Sequence, residues 1–155
     1  MRLTAFMFYA HVVVKGVGMS ADIGMVGQQF QSCPNRPNCV SSMARPNNKT
    51  HYIAPLVYTG TQANAMQDLR SVLFDMSRSK LMKQGSQYLH YEFRSRWLSF
   101  VDNVEFYFPE KESIIHMRSA SEMGYSDLGV NRQRLEKIRT AFAKTPSTPP
   151  VSSGL

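Results

Sequence analysis

Three segments in the second half of the chain alternate apolar and polar residues, and each is predicted to form a β-strand. In residues 87–95, one register holds Leu89, Tyr91 and Phe93, and polar residues hold the other. Residues 100–108 and 113–119 repeat this pattern. A period of two places the apolar side chains on one face of a sheet. The short connections between the segments predict an antiparallel meander.

Two further segments repeat apolar residues at helical spacing. The first follows Thr61, a typical helix N-cap, and its apolar positions are Ala65, Leu69, Val72, Leu73 and Met76. The second is predicted to begin near Asn131, another good cap, with the stripe Leu135, Ile138 and Phe142. A short strand over residues 51–58 precedes the first helix. The order β-α-β-β-β-α predicts an α+β fold: an antiparallel sheet with two main helices packed on one face.

The two ends of the chain differ from its middle. Residues 31–144 are predicted to form a single α+β domain. Residues 1–30 are expected to be a targeting or disordered segment, and residues 145–155, rich in Pro, Ser and Thr, a disordered tail. One early cation followed by a short apolar run resembles a weak signal peptide. We therefore expect export to the periplasm or a membrane surface, with a cytoplasmic location as the alternative if this segment is not a signal. No apolar stretch is long enough to predict a membrane span.

The chain is basic, with 18 Lys and Arg against 11 Asp and Glu and a net charge of +7. This balance favours contact with anions, which include nucleic acid, acidic lipid head groups and anionic small molecules. The expected partners are an anionic small molecule, a lipid head group or, for an exported chain, an envelope protein. The basic residues are spread along the chain, so a solvated surface is the simpler interpretation. Nucleic-acid binding is disfavoured because no recognised motif occurs and the aromatic residues are predicted to belong to the sheet.

The chain has two cysteines, Cys33 and Cys39, with two prolines between them. A disulfide is the preferred interpretation for an exported protein, and two reduced thiols with a packing role for a cytosolic one. A zinc site is disfavoured because the four histidines show no paired spacing. Redox catalysis is disfavoured because reactive dithiols usually lie two residues apart at a helix start. We expect no cofactor.

The densest group of polar residues lies between the last predicted strand and the last helix, in residues 118–132. It contains the candidate ligand-binding residues Arg118, Ser119, Asp127, Asn131 and Arg132. The arginines and the amides of the following helix are suited to bind a carboxylate or phosphate. The alternative is a structural corner in which these groups satisfy one another.

Asp102 interrupts the apolar register of its predicted strand and therefore needs a partner. We expect Arg94 or Arg118 on a neighbouring strand to supply it, and add Asp102 and Arg94 to the candidate site. A hydrolase that uses Asp102 or His116 as base together with Arg118 is the enzymatic alternative, although no Gly-x-Ser-x-Gly motif occurs. A structural subunit of an envelope or membrane-associated complex is the third possibility.

Five stretches in order resemble the domain of unknown function 1499 (DUF1499) family: CPNRPNCVSS at 33–42, IAPL at 53–56, FVDNVEF at 100–106, RSAS at 118–121 and GYSDLGVNR at 124–132. The resemblance covers roughly residues 31–143. It implies a small bacterial protein, often with an export or lipoprotein signal, or a plastid protein, and it implies no established activity. Two positions depart from the family pattern: Asn103 replaces a usual aspartate, and Glu122 replaces a usual basic residue.

Overall fold

The computed structural model describes residues 23–95 and 100–145. Its elements in chain order are β1 (Met25–Val26), β2 (Gln29–Phe30), β3 (Cys39–Ser41), β4 (Leu56–Val57), α1 (Gln62–Asp75), β5 (Ser79–Gln84), β6 (Tyr88–Arg94), β7 (Val101–Tyr107), β8 (Ile114–Ser121) and α2 (Val130–Phe142). Two helices and a largely antiparallel sheet confirm the α+β class.

The main sheet has the strand order β3-β8-β7-β6-β5, and β4 pairs with the beginning of β8. Strands β5 to β8 form an antiparallel meander, one strand longer at the edge than predicted. The cross-strand rows assign the two faces. Tyr91, Val104 and Ser119 lie in one row, and His90, Glu105 and Arg118 lie in the next. We call the first side the helical face and the second the polar face.

Both helices pack on the helical face, as predicted. The apolar side chains of β6, β7 and β8 form one core with the buried stripes of the two helices, Ala65, Leu69, Val72 and Leu73 from α1 and Leu135, Ile138 and Phe142 from α2. The alternation in the sequence was thus a reliable signal, because burial on one face requires an apolar residue at every second position.

The two helices begin in different ways. Thr61 caps α1 as predicted, since its hydroxyl accepts a hydrogen bond from the Asn64 amide at 3.2 Å. The prediction that Asn131 caps α2 is wrong, because the cap position is occupied by Gly129. The carboxylate of Asp127 accepts the amides of Gly129 and Asn131 at 2.9 and 2.8 Å, and Gly129 takes a left-handed conformation with φ 82°. Asp127 therefore satisfies amides at the start of α2 that would otherwise lack partners.

Four short strands do not appear in the sequence-based prediction. The pair β1–β2 forms a hairpin within residues expected to be a targeting or disordered segment, and β3 lies in a segment for which no strand was predicted. β5 reads Ser-Lys-Leu-Met-Lys-Gln, is mostly exposed and has no apolar alternation. The predicted signal segment up to residue 22 and the tail from residue 146 lie outside the described residues. Within the described residues, no helix is long and apolar enough to cross a bilayer.

Candidate functional site

The partner of Asp102 is Arg134 on α2, so the expected pairing with Arg94 or Arg118 is wrong. The Arg134 Nη2 and Asp102 Oδ2 atoms lie 2.5 Å apart, and both side chains are close to fully buried. Asp102 is on the helical face of the sheet, and α2 packs over it there. Its partner therefore comes from this helix and not from a neighbouring strand. Arg94 instead forms an exposed ion pair with Glu92 on its own strand.

Arg134 also joins two predicted site residues into one network. It donates to Ser119 Oγ at 3.1 Å and to Asn131 Oδ1 at 2.8 Å. Asn131 is fully buried, and its side-chain Nδ2 donates to Ser121 Oγ and to the main-chain carbonyl of Asn38. These contacts connect α2 to the sheet and to the segment before β3. We call Asp102, Ser119, Ser121, Asn131 and Arg134 the helix–sheet network.

Arg132 serves a different part of the fold. Its guanidinium donates to the main-chain carbonyls of Lys49, Thr50 and Tyr52, at 3.2, 3.0 and 2.8 Å. These three hydrogen bonds hold the loop before β4 against α2. Arg132 therefore holds a loop in this structure, and does not join Arg118 around a common ligand.

Arg118 points away from this network, because its neighbour Ser119 faces the helices and successive strand residues alternate. On the polar face, Arg118 Nη1 donates to Glu105 Oε2 at 2.7 Å, and neither side chain has any exposed surface. The polar residues of segment 118–132 thus belong to two separate clusters on opposite faces of the sheet: Arg118 to one, and Ser119, Ser121 and Asn131 to the other. The sequence did not identify Glu105 as a partner, although both residues occupy the polar register of their strands.

Glu105 is the centre of the group on the polar face. Its Oε1 accepts the Tyr88 hydroxyl and the Gly24 amide, each at 2.7 Å. Burial and the nearby Glu105 carboxylate raise the pKa of Tyr88, which keeps the phenol protonated as a donor. The Gly24 contact places the β1–β2 hairpin over this face. Arg118 Nε and Nη2 are buried without a partner among the described residues.

Asn103 and Glu122 contact each other on the same face. Asn103 Nδ2 donates to Glu122 Oε1 at 3.0 Å, and His90 Nε2 donates to Asn103 Oδ1 at 2.7 Å. The Asn103 side-chain amide and the Glu122 carboxylate therefore connect β7 to the residue that follows β8.

A cavity of about 490 Å³ lies where α2, the end of β6 and the turn after α1 meet. Its cationic lining residues are Arg78, Arg94, Arg134 and Lys137, and its carboxylate is Asp102. We call this cavity the basic cleft. Arg78 takes a left-handed conformation (φ 62°), uncommon for a residue with a side chain, and its Nε donates to the Arg94 carbonyl at 3.1 Å. The guanidinium of Arg134 also stacks 5.0 Å above the Phe93 ring. The cleft therefore combines a cation held in place, Arg134, with the exposed cations Arg78 and Lys137.

His116, the alternative base, lies beside a serine. Its Nδ1 is 3.0 Å from Ser42 Oγ, and its ring stacks on Tyr107. Burial lowers the pKa of His116, against an opposing effect of Glu112, and so favours the neutral imidazole. Ser42 Oγ also accepts the Met117 amide at 2.9 Å. The pair thus bridges β8 and the segment after β3.

The cysteines form the disulfide Cys33–Cys39. Cys39 begins β3, and its carbonyl accepts a hydrogen bond from His51 Nδ1 at 2.9 Å. The bridge therefore connects the segment after the hairpin to the main sheet. Among the described residues, no group of three or more His, Cys, Asp or Glu side chains is arranged to hold a metal ion.

These features define a small α+β protein with a two-faced sheet, a polar group under an amino-terminal hairpin and a basic cleft at one end of α2. A model of the family described as "Protein of unknown function (DUF1499)" matches residues 29–142. The chain belongs to this family. No curated protein matches the chain.

Proposed function

We propose that this chain is an exported, non-catalytic binding protein whose basic cleft holds an anionic small molecule or the head group of an anionic lipid. The supporting observation is the lining of the cleft: four cationic side chains surround it with one carboxylate, and that carboxylate is already paired with Arg134. Arg94 is paired with Glu92, and the remaining cations Arg78 and Lys137 lie on the turn after α1 and on α2, so the fold brings them together.

The chemistry of the cleft suits phosphate or carboxylate groups. Guanidinium groups donate paired hydrogen bonds to such oxygens, and a lysine adds a mobile point charge. Arg78 and Lys137 are exposed, so binding should weaken as salt screens them over a Debye length of about 10 Å at 0.1 M. Ion pairs between described residues account for Arg134 and Arg94, but not for Arg78 and Lys137.

Export is supported by the disulfide, since such bonds persist in oxidising compartments. A partner in the envelope, or a role as a subunit of an envelope complex, extends the same proposal. Cysteine oxidation in protein isolated from the native cell, measured by alkylation and mass spectrometry, tests the compartment. Fully reduced cysteines in rapidly quenched cells would contradict export.

The binding test uses glycerol 3-phosphate, phosphatidylglycerol vesicles and phosphatidylcholine vesicles. Titration calorimetry should detect the free phosphate ester, and flotation should detect lipid binding if the head group is the natural ligand. Lys137→Glu should weaken binding about tenfold or more by reversing one charge in the cleft. Lys144→Glu makes the same charge change near the end of the same helix and should leave binding nearly unchanged.

Equal losses in both variants would mean that general charge, and not the cleft, attracts the anion. Absence of binding to the ester and to both vesicles would remove the proposal. Binding to the ester alone would assign a soluble metabolite, and binding to phosphatidylglycerol vesicles alone would assign a lipid surface.

The hydrolase alternative has one favourable observation, the 3.0 Å contact between Ser42 Oγ and His116 Nδ1. A serine and a histidine at this distance can act as nucleophile and base. However, Asp102 and Arg118 are committed to ion pairs on opposite sheet faces, so they do not join His116 around one substrate. Hydrolysis of p-nitrophenyl esters that is abolished by Ser42→Ala would support this alternative.

A further inference from the structure

A second cavity, of about 890 Å³, lies between α1 and the edge strand β5. It is separate from the basic cleft. Its apolar lining includes Met66 and Phe74 from α1, and Leu81 and Tyr91 from the sheet. Phe74 is 87% exposed, which is unusual for a phenylalanine beside a groove. We call this cavity the edge groove.

The sheet side of the edge groove ends at an open strand. β5 pairs with β6 along one edge, and no described strand pairs with its other edge. An edge strand presents main-chain donors and acceptors that an extended segment can pair with. Such a segment would place alternate side chains towards the helical face, where the edge groove lies.

The charges around the edge groove select among occupants. None of the described residues that line it is Asp or Glu, and Arg70 lies within it beside the Tyr91 hydroxyl. Lys80 and Lys83 lie on β5 itself. Two copies of the chain joined edge to edge would bring these lysines together, and like charges on paired strands are destabilising. An acidic strand would be attracted by the same side chains.

We propose that the edge groove is the docking site of an extended segment of another protein, in which acidic residues alternate with apolar ones. The segment adds a strand to β5 and places its apolar side chains against Phe74 and Leu81 on the helical face. Its acidic side chains then lie on the polar face, beside Lys80 and Lys83, which are opposite Glu92 and His90 in the register. The irregularity of β5 between Leu81 and Lys83 limits the match to a short segment. This surface is independent of the anion bound in the basic cleft.

The test is selection from a phage-displayed library of random peptides about eight residues long, against the full chain. Enriched sequences should alternate apolar and acidic residues. Bound peptide should slow amide exchange in β5, and Lys83→Glu should weaken its binding about tenfold or more. Lys49→Glu is the matched control for net charge, because Lys49 is an exposed side chain on the loop before β4, outside the groove lining.

In a variant of the best peptide, one residue whose main-chain N–H would pair with β5 is replaced by proline, which has no N–H. This variant should bind at least about threefold more weakly if strand pairing contributes. Selection that enriches no peptide, or peptides without acidic residues, overturns the proposal. Protection outside β5 and α1, or equal effects of Lys83→Glu and Lys49→Glu, also overturns it. Dimers of the chain with protected β5 amides would assign the edge to a second copy instead.

Discussion

Removing Arg118 should reveal how much the buried ion pair contributes to stability. Arg118→Met retains most of the side-chain length, so little cavity forms, but Glu105 loses the cationic partner that it has among the described residues. A buried carboxylate left in this way typically costs about 3–5 kcal/mol. Glu105 keeps the Tyr88 hydroxyl and the Gly24 amide as donors. We therefore expect the lower end of that range, about 3 kcal/mol, from urea unfolding followed by circular dichroism.

A double-mutant cycle separates the pair from its surroundings. Glu105→Gln should also destabilise, because Arg118 then stays charged and buried. The double variant Arg118→Met with Glu105→Gln should cost clearly less than the sum of the single changes, since no unpaired charge remains. Arg94→Met is the control: it breaks an exposed pair and should cost less than about 1 kcal/mol. A loss below about 1 kcal/mol for Arg118→Met, or strict additivity in the cycle, would refute the assigned role.

Three further outcomes are expected. Asp127→Ala removes the acceptor of two helix-start amides and should cost about 1 kcal/mol in urea unfolding, with an unchanged midpoint as the contrary result. Replacing Cys33 and Cys39 by serine should lower stability by about 2 kcal/mol, and reductant should lower the wild-type midpoint to the same value; a reductant-insensitive midpoint would argue against the bridge. Because burial lowers the folded-state pKa of His116, the unfolded chain binds a proton first as pH falls, and stability should decrease below about pH 6.5. His116→Gln should flatten this decrease in urea midpoints measured from about pH 8 to pH 5, and an identical profile would contradict the assignment.

Where one face of an element is buried, the sequence predicted the fold well. Strands β6, β7 and β8 and both helices follow from apolar periodicity. β5 did not, because an exposed edge strand has no buried face to impose alternation. β3 was not predicted, because it has only three residues and follows a segment rich in Pro and Asn, which is typical of a loop.

The candidate site was harder to predict than the fold. Asp102 was identified correctly as an inward carboxylate that needs a partner, but Arg134 was not among the partners expected for it. The signal was available: a carboxylate facing the helices requires a cation on a helix. Arg118 and Ser119 were grouped together because they are adjacent in the sequence, although adjacent strand residues face opposite ways.

The position of β3 beside β8 has a consequence for how the chain matures. Cys39 pairs with Ala120 and Val40 with Ser119. β3 therefore cannot pair until β8, which is synthesised later, is available. During synthesis the earlier segment has no template until the last strand has emerged. The six-residue span between Cys33 and Cys39 can close locally before that time. Oxidation would then shape the amino-terminal region first, and the sheet would recruit it as the final step of folding.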